Sequence, residues 1–228
     1  MHNITLICTR HEECGNCNSF ELLRLIESVS PDIIFEELSF SNFHRSYTEG
    51  SLITLETKAI KWYLENHNIN HIPVDTFDLP HSYHDQVDCM YKRISENKTI
   101  KEVRDRLNLV DQLEILLARH GFAFLNSKQN NLIFDKLDFF KHAILSTMND
   151  ENLFRISKLE IGAIEKREAE ILENVYQYSR ENAYKQALMF IGSGHRQSIM
   201  KKIEEAGRIK KIKLNWSHYN DLIPEGMG

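Results

Sequence analysis

The sequence carries no excess of positive charge. Its 28 Lys and Arg stand against 33 Asp and Glu, a formal net charge of −5. Such a chain has no cationic field to draw in nucleic acid or an anionic membrane, so neither is an expected partner. No apolar run approaches the roughly 18 to 20 residues that span a bilayer. The first strand-like stretch, Ile4 to Cys8, is too short for the core of a signal peptide, and cytoplasmic residence is the expectation. Cysteine is scarce. Cys8, Cys14, Cys17 and Cys89 are too few in 228 residues for a disulfide-stapled scaffold and fit reduced thiols in a large core. There is no internal repeat and no low-complexity tract. The nearest thing to a charge run, Lys201, Lys202, Lys210, Lys211 and Lys213, reads as a solvated face.

What is present is 42% hydrophobic and 27% charged residues, enough for one well-packed core and short for two. The first 75 residues alternate β-branched runs with helical periods, the pattern of βαβ units around a parallel sheet. Asn3 to Cys8 is predicted as the first strand. A helix follows, capped by Ser19, with Leu22, Leu23, Ile26 and Val29 at helical spacing and Pro31 as its stop. Asp32 to Leu38 is predicted as the second strand and His71 to Asp75 as the third. Between them lie a polar loop from Ser39 to Gly50 and a helix marked by Leu52, Leu55, Ala59 and Trp62. Pro73 donates no ladder hydrogen bond, which weakens the third strand.

From about Pro80 to Asn182 no strand pattern appears. Ile100, Val103, Leu107, Val110, Leu113 and Leu117 form one helical stripe ending near Gly121. Leu132 to Met148 is a second helix and Asn152 to Glu181 a third. The sheet resumes at Ala187 to Ile191, breaks at Gly192-Ser193-Gly194, and leads into a helix from about His195 to Ala206 and a last strand from Lys211 to Trp216. The expected fold is therefore α/β, a mainly parallel sheet flanked by helices. Residues 1–80 and 183–228 form its core, and 81–182 are a helical insertion packed on it. Stripes of this kind are ordinarily intramolecular core, and a homodimer is the expected form if the chain self-associates.

In an open α/β sheet ligands bind beyond the carboxyl ends of the strands, so the strand ends nominate the site. They are Cys8-Thr9-Arg10-His11, Glu36-Glu37, Asp75 and Gly192-Ser193-Gly194-His195. Strand alternation sends Glu36 and Glu37 to opposite faces, and Glu37, nearer the carboxyl end, is the candidate. His11, Glu37 and His195 suit a divalent metal such as zinc or manganese, since imidazole nitrogen and carboxylate oxygen match its preferences. Without a metal, His11 or Glu37 would act on water as a general base. Gly192 and Gly194 are expected to permit a sharp turn and a close backbone approach. Thr9, Asp75, Ser193 and Gly194 are candidates for binding substrate. Ile164, Arg167, Ile171 and Val175 share one stripe, so the Arg167 guanidinium should point inward and need an anion, either a core carboxylate, a site glutamate or a substrate oxyanion.

The strand-end motifs Cys8-Thr9-Arg10-His11, Pro31-Asp32-Ile33-Ile34-Phe35-Glu36-Glu37-Leu38 and Gly192-Ser193-Gly194-His195 together resemble the TraB/Tiki superfamily. That family is related in fold to erythromycin esterases and to ChaN-like haem-binding proteins. Arg167-Glu168 is similar to its arginine-bearing helix, and Asp75 to its aspartate after the third strand. Cys8 departs from the family pattern, standing at the glycine of its Gly-Thr-x-His (GxxH) motif. The resemblance covers roughly the first 80 and last 60 residues. It implies a metal-dependent hydrolase of peptidase, amidase or esterase type, acting on a peptide or small molecule through the two motif histidines and the strand-two glutamate. Two other readings stand beside it. The same crevice would hold haem or another small ligand in a ChaN-like binding protein. Alternatively, Cys14 and Cys17, in a loop before a helix whose dipole lowers a thiol pKa, would serve redox exchange or, with His11 and Cys89, His81 or His84, a zinc-thiolate site.

Overall fold

The computed structural model describes residues 2–75, 79–210 and 212–222. Five parallel strands form one sheet: β1 (His2–Thr9), β2 (Ile33–Glu36), β3 (Asn70–Pro73), β4 (Gln186–Gly192) and β5 (Leu214–His218). Their spatial order is β3-β2-β4-β1-β5. β4 thus lies between the chain's first two strands, with Thr9 level with Gly192 on one side and Phe35 level with Met189 on the other. The central strands are buried on both faces and read as nearly continuous apolar runs, as parallel strands under two helical layers must. β3 is an edge strand, and the missing amide of Pro73 is tolerated there.

The period-two alternation divides the core. Ile7, Ile34, Leu188 and Phe190 pack toward α1 (Ser19–Val29), α3 (Leu55–Leu64) and the carboxyl-terminal half of α5 (Lys101–Leu125). Ile4, Leu6, Phe35, Met189 and Ile191 face the other way, toward α7 (Glu151–Glu181) and α8 (Arg196–Ile209). The α/β architecture and the long helical segment between β3 and β4 agree with expectation. That segment comprises α4 (His81–Glu96), α5, α6 (Lys128–Met148) and α7. It has its own apolar cluster around Met90, Ile94, Val103, Ile144 and Leu153. It is also continuous with the sheet's core, because α5 and α7 supply Leu117, Phe122, Ile171 and Val175 directly to the two faces.

Local chemistry corrects several expectations. The amino-terminal cap of α1 is Asn18, whose side chain accepts from the Glu21 amide, while the Ser19 hydroxyl donates to Glu13. The helix ends on Ser30 in the left-handed region, just before Pro31. The segment expected as a polar loop folds into α2 (Phe40–His44), capped by Ser39, followed by a π-turn over Arg45–Glu49. α4 was not apparent from the pattern, since Met90 and Ile94 are its only fully buried residues. β5 begins at Leu214 rather than Lys211, and Lys211 itself lies outside the described residues. α5 runs past Gly121, which sits at φ +53° and breaks the helical path; a Cβ there would stand 2.5 Å from the Asn16 carbonyl oxygen.

β5 pairs with β1 only as far as Leu6. Beyond it, Asn126 takes the place of a strand: its Oδ1 accepts from the Cys8 amide at 2.8 Å and its Nδ2 donates to the Cys8 carbonyl at 3.0 Å. The helical segment is thereby fastened to the sheet one residue before the candidate site begins. Cys8 lies in this extended ladder, so the glycine of the resembled motif is not required here for its conformation.

Candidate functional site

Because β4 separates β1 from β2, the turn after β4 lies between the two other strand ends. The tight turn Ser193–His195 leads directly into α8. The turn expected at Gly192 and Gly194 is present, and neither glycine adopts a positive φ in it. Gly192 is instead where Glu37 approaches closely: its amide donates to Glu37 Oε2 at 2.5 Å, and an added Cβ would stand 3.4 Å from that oxygen.

Glu37 and Glu36 diverge as alternation requires. Glu37 points to the α7/α8 side, where Arg167 Nη2 meets its Oε1 at 2.7 Å. The same guanidinium donates through Nε to Asp75 Oδ2 at 2.6 Å. Burial works against the guanidinium's charge, but Glu37 and Asp75 outweigh it and raise its pKa further. The inward stripe thus delivers Arg167 to a site glutamate, one of the anions expected for it. Asp75, expected to bind substrate, is 4% exposed and engaged with Arg167. Glu36 turns to the opposite side and is buried with His71 Nδ1 at 2.7 Å and the Tyr47 hydroxyl at 2.6 Å. Burial raises its pKa against the lowering effect of those two partners.

His195 is the best-oriented of the predicted residues. Its Nδ1 meets Glu168 Oε1 at 2.7 Å, and its Nε2 is 3.4 Å from Glu37 Oε1. Glu168 is buried. Burial opposes its ionisation, but hydrogen bonds from His195, Lys202 and Ser198 prevail and hold its pKa below the ordinary value. The neutral tautomer that donates from Nδ1 to Glu168 carries its free lone pair on Nε2. Neither Ser198 nor Lys202 was nominated from sequence. Their spacing from each other along α8 was the available signal.

His11 stands apart from this group. It is exposed, with Nδ1 3.4 Å from Glu56 Oε1, and that hydrogen bond raises its pKa against desolvation. Thr9, expected to bind substrate, is buried and donates to the same Glu56 oxygen at 2.7 Å. Glu56 comes from α3 and was not foreseen, because it lies among exposed-looking residues of a helix rather than at a strand end. Thr9, His11, Glu37 and Glu56 line a cavity of about 20 Å³, large enough for one water. Glu56 Oε2 is buried without a partner, an acceptor such a water would satisfy.

Of the expected metal ligands, His195 stands 3.4 Å from Glu37, while His11 pairs with Glu56 across the small cavity that Glu37 also lines. Both oxygens of Glu37 are already bonded, one of them to a guanidinium, and a cation there would meet the Arg167 charge. Among the described residues no three or more His, Cys, Asp or Glu side chains are placed to hold a metal ion. The donor set, as arranged, does not fit a metal on His11, Glu37 and His195.

The dipole-lowered thiol pKa expected for this loop is not what its surroundings produce. Cys17 is fully buried, and desolvation pushes its pKa up to about 12; burial and the Glu114 hydrogen bond raise that of Cys14 as well. The loop before α1 buries Cys17 and leaves Cys14 half-buried, and it lowers neither thiol's pKa.

On its other side His195 opens into a cleft of about 650 Å³, walled by Tyr91, Arg106, Phe134, Glu160, Gly194 and Ser198 among others. Gly194 is exposed at its mouth, close to the Phe134 ring, and Ser193 is buried beneath. Among the described residues no helix is long and apolar enough to cross a membrane. Comparison with protein-family models, with curated proteins and with solved structures finds no match to this chain.

Proposed function

We propose that this chain is a hydrolase that activates water with a protein base, His195, acting on a peptide, amide or ester in the cleft beside it. The observation that carries the reading is the His195–Glu168 pair at 2.7 Å at the wall of a cleft large enough for a small substrate. In this scheme neutral His195 takes a proton from water at Nε2 as the water oxygen bonds to the acyl carbon. On collapse of the tetrahedral adduct the imidazolium returns that proton to the leaving nitrogen or oxygen. Glu168 holds the ring and stabilises the transient positive charge. Glu37, kept in place by Arg167 and the Gly192 amide, offers a second carboxylate within 3.4 Å of Nε2 to orient the water. Arg167 is a positioning residue in this scheme, and Asp75 positions Arg167.

The metal-dependent form implied by the TraB/Tiki resemblance is the competing version, and one assay separates them. Hydrolysis of 4-nitrophenyl acetate is measured for the wild type and for His195→Gln, each before and after chelation. The expected result is a fall of about 10²- to 10⁴-fold in kcat for His195→Gln and no effect of the chelator. Activity that disappears on chelation and returns with zinc or manganese would replace the protein-base scheme by the metal one. Undiminished turnover in His195→Gln would sink both.

A further inference from the structure

The cleft beside His195 holds charges of both signs, and among the described residues all but one of its cations have a carboxylate partner. Lys141 is buried between Asp138 at 2.9 Å and Glu160 at 3.3 Å, and the Tyr91 hydroxyl also donates to Glu160. Lys201 is exposed and lies 4.0 Å from Glu205. Asp135 is exposed to solvent. Arg106 is different. It comes from α5, is only partly exposed, and lies over the Tyr91 ring with its guanidinium carbon 5.4 Å from the centroid. Among the described residues it has no ion-pair partner within 4.0 Å, and its Nε is buried without a hydrogen bond.

A guanidinium partly withdrawn from water loses hydration that a ring face only partly replaces. Lys141 is shared by the cleft-wall carboxylates Asp138 and Glu160, and among the described residues neither of them stands within ion-pair distance of Arg106. The cation is thus left with free donors in a planar fork, a shape that fits a carboxylate bidentately. We propose that Arg106 binds a carboxylate carried on the acyl side of the substrate, so that the enzyme prefers acidic amides or esters over uncharged ones of equal length. This rests on the hydrolase reading for the reaction, but the binding of a carboxylate does not depend on it.

The test compares mono(4-nitrophenyl) glutarate with 4-nitrophenyl valerate, which share an acyl chain length and differ in one carboxylate. Wild-type kcat/KM is expected to favour the glutarate ester by tenfold or more. That ratio should fall to about one in Arg106→Met and to an intermediate value in Arg106→Lys, which keeps the charge and loses the fork. A wild-type ratio near one, or a ratio unchanged in Arg106→Met, overturns the proposal. If the wild type hydrolyses neither ester, the hydrolase reading fails and calorimetric titration with glutarate decides the carboxylate site alone. Binding to the wild type at least tenfold tighter than that of glutaramide, its uncharged counterpart, and lost in Arg106→Met, upholds it. Equal binding of the two, or none, overturns it.

Discussion

Arg167 and Glu37, from a helix and a strand end on one side of the sheet, meet at 2.7 Å with both side chains largely withdrawn from water. Asp75 shares the same guanidinium at 2.6 Å. One guanidinium thus bridges two nearly buried carboxylates and ties the strand end at Glu37 to Asp75.

Replacing Arg167 should be costly for this reason. Arg167→Met removes the guanidinium that bridges Glu37 and Asp75 and is expected to lower stability by about 3 to 5 kcal/mol in denaturant unfolding. Adding Glu37→Gln should recover part of the loss, since one of the two bridged carboxylate charges is then gone. A double variant as unstable as the sum of the two single ones would mean that the pair is not coupled.

The Glu168 network sets an acid limit. Its folded-state pKa lies below the ordinary value of 4.5, so between the two the unfolded chain binds more protons. The stabilisation is complete above that ordinary value and disappears as pH falls through the folded one. Glu168→Gln is expected to cost roughly 2 to 4 kcal/mol at pH 7 and progressively less below about pH 4. A difference between variant and wild type that does not shrink on acidification would contradict this assignment.

Thiol accessibility gives a further check. Cys89 is exposed, Cys14 half-buried, and Cys8 and Cys17 are buried, with desolvation pushing both of the last two pKa values up to about 12. At pH 8 an aromatic disulfide reagent should react quickly with Cys89 alone, more slowly with Cys14, and with Cys8 and Cys17 only on unfolding. Fast reaction of Cys17 in the native protein would revive the thiol chemistry.

Asn126 fastens the helical segment to the end of β1. In Asn126→Leu both the amide and the carbonyl of Cys8 lose a buried partner, and the expected cost is about 2 to 3 kcal/mol. The candidate site begins at the next residue, so the variant should also lower turnover. Full activity with lost stability would separate the fastening from the site.

Much of this molecule is decided by local pattern. Period two separates Glu36 from Glu37, and helical period turns Arg167 inward, because both repeats follow from backbone geometry alone. The parallel sheet, the strand ends and the long helical segment are legible for the same reason. The partners are not. Glu56 lies in the first turn of α3 and Glu168 inside α7, where a carboxylate reads as a helix-dipole partner or an ordinary solvated residue, and Arg106 is one charge among many on α5. Only the tertiary structure decides that β4 enters between β1 and β2, bringing His195 beside Glu37. It likewise leaves His11 with Thr9 and Glu56 on the side of α3. Strand order depends on how distant helices cover the two faces of the sheet, a sum of long-range packing that no window of sequence contains.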